Sequence, residues 1–112
     1  MVKKSEYRDL FPGALELMIL KSLSWRPMHG YALAQRLKDI SEDYLQIEEG
    51  SLYPALHRME QSGWVSSKWA LTETKRKAKY YKLTPVGRKQ LKEAEESFEQ
   101  LVKGVRAMLR YA

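Results

Sequence analysis

Ser51, Tyr53, His57, Arg58 and Gln61 place five hydrogen-bonding side chains within eleven residues. None has the neighbour that catalysis would require. The chain has no cysteine, which excludes thiol chemistry and disulfides. Its two histidines, His29 and His57, stand apart, and no metal-ligand spacing surrounds either. Glu48-Glu49 is an acidic pair without a base or a metal ligand beside it, and no glycine-rich phosphate loop is present. The expectation is a protein that is not an enzyme and holds no metal or cofactor. Its polar groups are there to be presented to a partner.

The element that presents them is a short helix over 50–62. Leu52, Leu56 and Met59 recur at i, i+4, i+7 and form one anchored face. Gly50 and Ser51 are expected as caps, and Pro54 is expected in the first turn, where a missing N–H costs nothing. Gly63 is expected at C′, closing the helix before Trp64-Val65 starts an extended run.

The net charge of +6 is unevenly spread. Between Trp64 and Lys82 the charged residues are Lys68, Glu73, Lys75, Arg76, Lys77, Lys79 and Lys82, six basic against one acidic. Between Asp39 and Glu49 all are acidic: Asp39, Glu42, Asp43, Glu48 and Glu49. A localised basic patch on a small protein suits a polyanion, and nucleic acid is the usual one, although a solvated lysine-rich hairpin has the same composition. No apolar run approaches the ~18 residues of a membrane span, and the charged N-terminus leads to no signal-like segment. The protein is expected in the cytoplasm, with no membrane partner.

Residues 1–12 read as a polar arm carrying Tyr7, Leu10 and Phe11. A buried helix is predicted over 13–25 from Leu15, Met18, Ile19 and Leu23, and Arg26-Pro27 ends it. Met28-His29-Gly30 reads as a tight connection. A second helix over 30–40 follows, with Tyr31, Ala34, Leu37 and Ile40 as its stripe and Gln35, Arg36 and Lys38 off it. In the acidic loop 41–49, Leu45 and Ile47 alternate as in a short extended piece. After the 50–62 helix, 64–72 and 78–83 are rich in β-branched and aromatic residues and predict a β-hairpin with a mobile basic tip at 73–77. Thr84 and Pro85 then open a last helix as N-cap and N1. In it Leu91, Ala94, Phe98, Leu101, Val105 and Met108 step by 3, 4, 3, 4, 3. That is an a/d seam in a helix of ~25 residues, ~37 Å long. A helix longer than its own core suits pairing with a second copy, the alternative being a fold back over its own domain.

Three helices, a basic hairpin and a long helix form the order of a winged helix-turn-helix, an α+β, mainly helical fold. Residues 1–83 are expected as the DNA-binding domain with its arm, and 84–112 as the dimerisation helix. In this arrangement the third helix enters the major groove and the wing lies along the backbone. The candidate DNA contacts are Ser51, Tyr53, Pro54, His57 and Arg58 on the third helix, Lys75, Arg76, Lys77 and Lys79 on the wing, and Gln35 and Arg36 on the second helix.

Several spaced blocks carry a more specific likeness. Gly50-Ser51-Leu52-Tyr53-Pro54-Ala55-Leu56-His57-Arg58-Met59-Glu60, Gly63-Trp64-Val65, Trp69, the run Arg76 to Thr84, and Gly87 resemble the PadR family of transcriptional regulators, as does His29-Gly30-Tyr31-Ala32-Leu33. The resemblance spans about residues 13 to 90. It implies a repressor that dimerises through its C-terminal helix on a two-fold operator. The short C-terminal region is similar to the smaller subfamily, which includes multidrug-responsive members. That implies a small aromatic or drug-like effector, whose pocket no motif locates. Two readings outside DNA binding stay open at this point: a winged-helix module for protein contact, and a small-molecule sensor.

Overall fold

The computed structural model describes residues 13–42 and 49–111. The expectations for 1–12 and for Leu45 and Ile47 lie outside them. The described elements are α1 (Ala14–Trp25), β1 (Met28–His29), α2 (Gly30–Ile40), α3 (Glu49–Gln61), β2 (Val65–Leu71), β3 (Lys77–Leu83) and α4 (Pro85–Tyr111). The three strands form an antiparallel sheet in the order β1-β3-β2, with Met28 opposite Tyr81 and Val65 opposite Leu83. This is a winged helix-turn-helix with a long C-terminal helix.

One core joins all the elements except the wing tip and the outer half of α4. It takes Leu15, Ile19, Leu20 and Leu23 from α1, Leu33 and Leu37 from α2, and Leu52, Ala55, Leu56 and Met59 from α3. Val65, Tyr81 and Leu83 close it from the sheet, and Leu91 from α4. The three anchors expected on α3 are all buried, each worth ~1.5–3 kcal/mol relative to exposure. That burial fixes which side of α3 is left to face outward.

Four expectations change. The buried stripe of α2 is Gly30, Leu33 and Leu37, while Tyr31 and Ile40 are exposed. Gly30 sets that rotation: a Cβ there would lie 2.5 Å from the Tyr53 ring, so its absence lets Tyr53 of α3 cover the start of α2. Met28-His29 is a short strand on β3 and not only a connection. His29 then serves as N-cap of α2, its Nδ1 accepting from the Ala32 N–H at 3.2 Å. In α3 the helix already includes Glu49, so Gly50 and Ser51 lie within it and do not cap it. Pro54 is therefore past the first turn, and the Gly50 carbonyl loses its i+4 donor. The wing connection is shifted by one residue, to 72–76, and Thr72 and Arg76 pair across it (Thr72 N–H to Arg76 O, 2.8 Å). Glu73, Thr74 and Lys75 make the turn, with Lys75 at φ 61° and its N–H donating to Thr72 O. A three-residue hairpin loop with a left-handed third residue is one of the standard hairpin closures.

The end of α3 and the start of α4 are joined at one point. Gly63 is left-handed (φ 79°), its N–H donates to Glu60 O, and the Trp64 N–H donates to Met59 O, the two bonds of a Schellman stop. Thr84 caps α4, accepting from the Gly87 N–H at 2.9 Å, and its hydroxyl donates to the Gly63 carbonyl at 2.6 Å. Gly87 lies directly against the Trp64 carbonyl, where a Cβ would collide with the backbone. Gly104, farther along the same helix, has nothing within 4 Å of where a Cβ would be. Gly87→Ala should therefore destabilise by about 3 kcal/mol, since a backbone carbonyl has no rotamer through which to yield. Gly104→Ala should stabilise by up to ~1 kcal/mol through helix propensity. Thermal unfolding of the two variants beside wild type checks both directions.

Candidate nucleic-acid interface

With Leu52, Ala55, Leu56 and Met59 turned inward, the helical period decides the rest of α3. Gly50, Pro54, His57 and Gln61 follow at i, i+4, i+7, i+11 on the opposite side, and all four are exposed. Gly50 leaves the backbone bare, with open space where a side chain would be. Pro54 adds an apolar ring, and His57 and Gln61 add groups that can donate and accept. Gln61, and Gly50 as a bare approach, were not among the site residues expected from sequence. The signal was available: the outward stripe is the exact complement of the Leu52/Leu56/Met59 stripe.

The other α3 candidates flank this ridge. Tyr53, 44% exposed, rests its ring over Gly30 on one side. On the other side Ser51 is half-buried, and the Arg58 guanidinium reaches Glu16 of α1 at 3.4 Å while staying largely exposed. An exposed pair of this kind is worth little in stability but orients the arginine. Of the α2 candidates, Gln35 is exposed. Arg36 is half-buried, stacked at 3.9 Å on the Trp25 ring, with a buried Nε that makes no hydrogen bond. That packing turns Arg36 toward the end of α1 and away from the ridge.

On the wing, Lys75, Arg76 and Lys77 are exposed at the tip, and among the described residues none pairs with a carboxylate. Lys79 is different. Its Nζ lies 3.4 Å from Glu60 Oε1 and 5.7 Å from the centroid of the Tyr81 ring. Glu60 also accepts a short hydrogen bond from the Ser67 hydroxyl. One carboxylate near the end of α3 thus holds both strands of the wing. The Ser67 hydrogen bond keeps the Glu60 carboxyl below its ordinary range, against the opposing effect of its desolvation, with Lys79 adding to the lowering. Burial pushes the Tyr81 phenol above its ordinary value.

The seam residues divide. Leu91 is buried in the protomer's own core, and Ala94 is half-buried on the same stretch, beside the Lys21–Glu95 ion pair (3.3 Å) that ties α1 to α4. Phe98, Leu101, Val105 and Met108 are exposed, as is Leu109. Leu101, Val105, Met108 and Leu109 line a shallow apolar groove with Gln100 and Gly104. The free part of the seam begins at Phe98. Among the described residues no group of His, Asp and Glu could hold a metal ion, and no helix is long and apolar enough to cross a membrane.

The sequence pattern of the PadR-like family of transcriptional regulators matches residues 19–93, most of α1 through the first turns of α4. The chain belongs to this family. A transcriptional regulator of Mycobacterium tuberculosis is 33% identical over 98 residues, 88% of each chain. A PadR-like transcriptional regulator of Bacillus cereus has a similar solved structure at 30% identity, covering 90% of this chain and 96% of its own, with a TM-score of 0.77. A transcriptional regulator of Clostridium thermocellum is similar at 28% identity, covering 88% of this chain and 95% of its own, with a TM-score of 0.80. The family and these relatives are regulators, not enzymes.

The Glu60 node makes a stability prediction. A carboxyl lowered in the folded state adds stability above the unfolded-state value of about 4.3 and loses it as pH falls through the lower folded value. Glu60→Gln should cost about 1 kcal/mol at pH 7, discounted because Glu60 and Lys79 are each about a third exposed. The two proteins should converge as the solution is acidified. Urea unfolding at a series of pH values would show it, and a constant difference down to acid pH would speak against the ion-paired carboxylate.

Proposed function

We propose that this PadR-like regulator binds double-stranded DNA as a homodimer and represses transcription by occupying its operator. The observation that carries the reading is the pairing of α3's outward ridge with three unpaired cations at the wing tip. Gly50, Pro54, His57 and Gln61 would face the major groove. His57 and Gln61 would hydrogen-bond base edges, glutamine suiting adenine, and the Pro54 ring would meet a thymine methyl. Ser51, Tyr53 and Arg58 flank the groove and serve phosphates, as does Gln35 from α2. Lys75, Arg76 and Lys77 supply sequence-independent attraction along the backbone, with Lys79 behind them. Arg36, committed to Trp25, is left out of this surface.

Phe98, Leu101, Val105 and Met108 would meet the same residues of a second copy, with Ala94 at the inner margin. Two copies would set two α3 helices on half-sites one helical turn apart, ~34 Å. A small aromatic or drug-like effector lodged beside Phe98 would release the operator by changing that separation.

The test is a binding titration with duplexes from the promoters neighbouring its own gene, at two or more salt concentrations. Lys75→Ala with Arg76→Ala should weaken binding and make the dependence on log salt shallower by about 1 per lost phosphate contact. His57→Ala with Gln61→Ala should cost roughly 1–3 kcal/mol per base contact on the operator and little on unrelated duplex, at an unchanged slope. A wild-type affinity indifferent to salt would overturn the DNA reading. Leu101→Glu with Val105→Glu should convert the dimer to monomer in sedimentation at micromolar concentration, while leaving the winged-helix core folded.

A further inference from the structure

The wing carries two large apolar side chains that the contacts described so far leave unused. Trp69 is 67% exposed and Leu71 63%. Both lie on one pleat face of β2 with Val65 and Ser67, because side chains alternate along a strand. Val65 is in the core and Ser67 bonds Glu60 of α3, so this is the face turned toward α3. Trp69 and Leu71 continue that face beyond its support, about 7 Å apart along the strand. Across the ladder Trp69 is opposite Lys79 and Leu71 opposite Lys77. On α3 the residues on the wing side are Tyr53, His57 and Glu60, at i, i+4, i+7.

The corner between α3 and the wing therefore has a fixed base, Glu60 with Ser67 and Lys79. On the α3 side it has the exposed His57, and on the wing side the apolar pair Trp69 and Leu71, with Lys79 and Lys77 opposite them on β3. Glu60 is engaged by Ser67 and Lys79, and the charges across the ladder from the apolar pair are cationic, which suits an anion that also has an apolar surface. A DNA strand has that alternation, a phosphate at each step and a deoxyribose between phosphates. An indole can pack on the sugar while its N–H donates to a phosphate oxygen.

We propose that Trp69 and Leu71 clamp the sugar face of the DNA strand that runs between α3 and the wing, adding an uncharged contribution to an otherwise cationic wing. The clamp rests on the DNA-binding reading above. It makes the wing's two contributions separable: cations at the tip act through salt-dependent attraction, and the Trp69/Leu71 pair acts through apolar area that salt barely screens.

The experiment is a fluorescence titration of the full chain with the promoter duplex that wild type binds, using wild type, Trp69→Phe, Trp69→Ala and Leu71→Ala. Thermal melting and sedimentation of each variant accompany it. Wild-type indole emission should change on DNA addition, and the change should be lost in Trp69→Phe, in which Trp25 and Trp64 remain. Trp69→Ala should weaken binding about tenfold and Leu71→Ala by less, both with the wild-type salt slope and melting temperature. Equal affinity for wild type and Trp69→Ala overturns the clamp alone. So does an emission change that persists in Trp69→Phe, a shallower slope in either alanine variant, or a change in self-association in place of DNA affinity, which would assign the open edge of β2 to a second copy. A wild type that binds no duplex overturns the DNA reading and the clamp with it.

Discussion

The hydroxyl of Thr84 holds the molecule together at the point where its working parts meet. It donates to the carbonyl of Gly63, at the end of α3, and accepts from the Gly87 N–H, at the start of α4. The Thr84 N–H bonds the Trp64 carbonyl, which is also the base of the wing. Thr84 thus satisfies an orphan amide of α4 with its own side chain and ties the start of α4 to Gly63 and Trp64, the two residues that close α3. Gly87 makes this close approach feasible, since any side chain there would enter the Trp64 peptide. Helix α3, the wing and α4 leave one joint, and none can be re-aimed without breaking it.

A second tie, Glu60, acts on the wing from the other side. The joint fixes the hairpin where it starts, and Glu60 fixes it one step outward through Ser67 and Lys79. Beyond that, among the described residues, the wing is supported by its own ladder and by the Thr72–Arg76 closure. The cost of this arrangement is that one of the wing's cations is spent internally. Lys79 counts toward the net charge but less toward attraction of a polyanion, because its field is largely cancelled by Glu60. Among the described residues the wing's cations without a carboxylate partner are Lys68, Lys75, Arg76, Lys77 and Lys82, three of them consecutive at the tip.

The parts of this fold legible in the sequence are those with a strong local rule. The anchored stripe Leu52/Leu56/Met59, the Gly63 stop, the Thr84-Pro85 start and the hairpin each follow from periodicity, chirality or capping chemistry that acts within a few residues. What stayed hidden depends on contacts between distant residues. A two-residue strand at Met28-His29 exists only because β3 offers it an edge. The rotation of α2 is set by Tyr53 lying over Gly30, twenty-three residues away, and periodicity alone favoured the larger Tyr31 for the inward face. Arg36 and Lys79 are candidates by charge, and sequence shows neither the Trp25 ring under Arg36 nor the Glu60 carboxylate beside Lys79. The start of α3 was drawn at its best cap residues, Gly50-Ser51, and the helix runs past them.

The division of α4 follows from the same geometry. Its first turns are core, through Gly87 and Leu91, and Lys21–Glu95 pins the next. Only from Phe98 onward is its apolar side uncovered. From Gly87 to Phe98 is eleven steps along α4, roughly 17 Å of continuous helix, with the joint to α3 at one end. A helix of that length is stiff, so a tilt imposed at the Phe98 end is not absorbed along the way. About 10° of tilt over roughly 17 Å moves the joint by about 3 Å, and α3 moves with it because Thr84 binds both. That displacement is several times the roughly 0.5 Å over which a hydrogen-bond distance can vary, so base-edge contacts would not survive it. In the proposed dimer, whatever set the crossing of two α4 helices would therefore also set the separation of the two α3 helices, with no moving part between the two events.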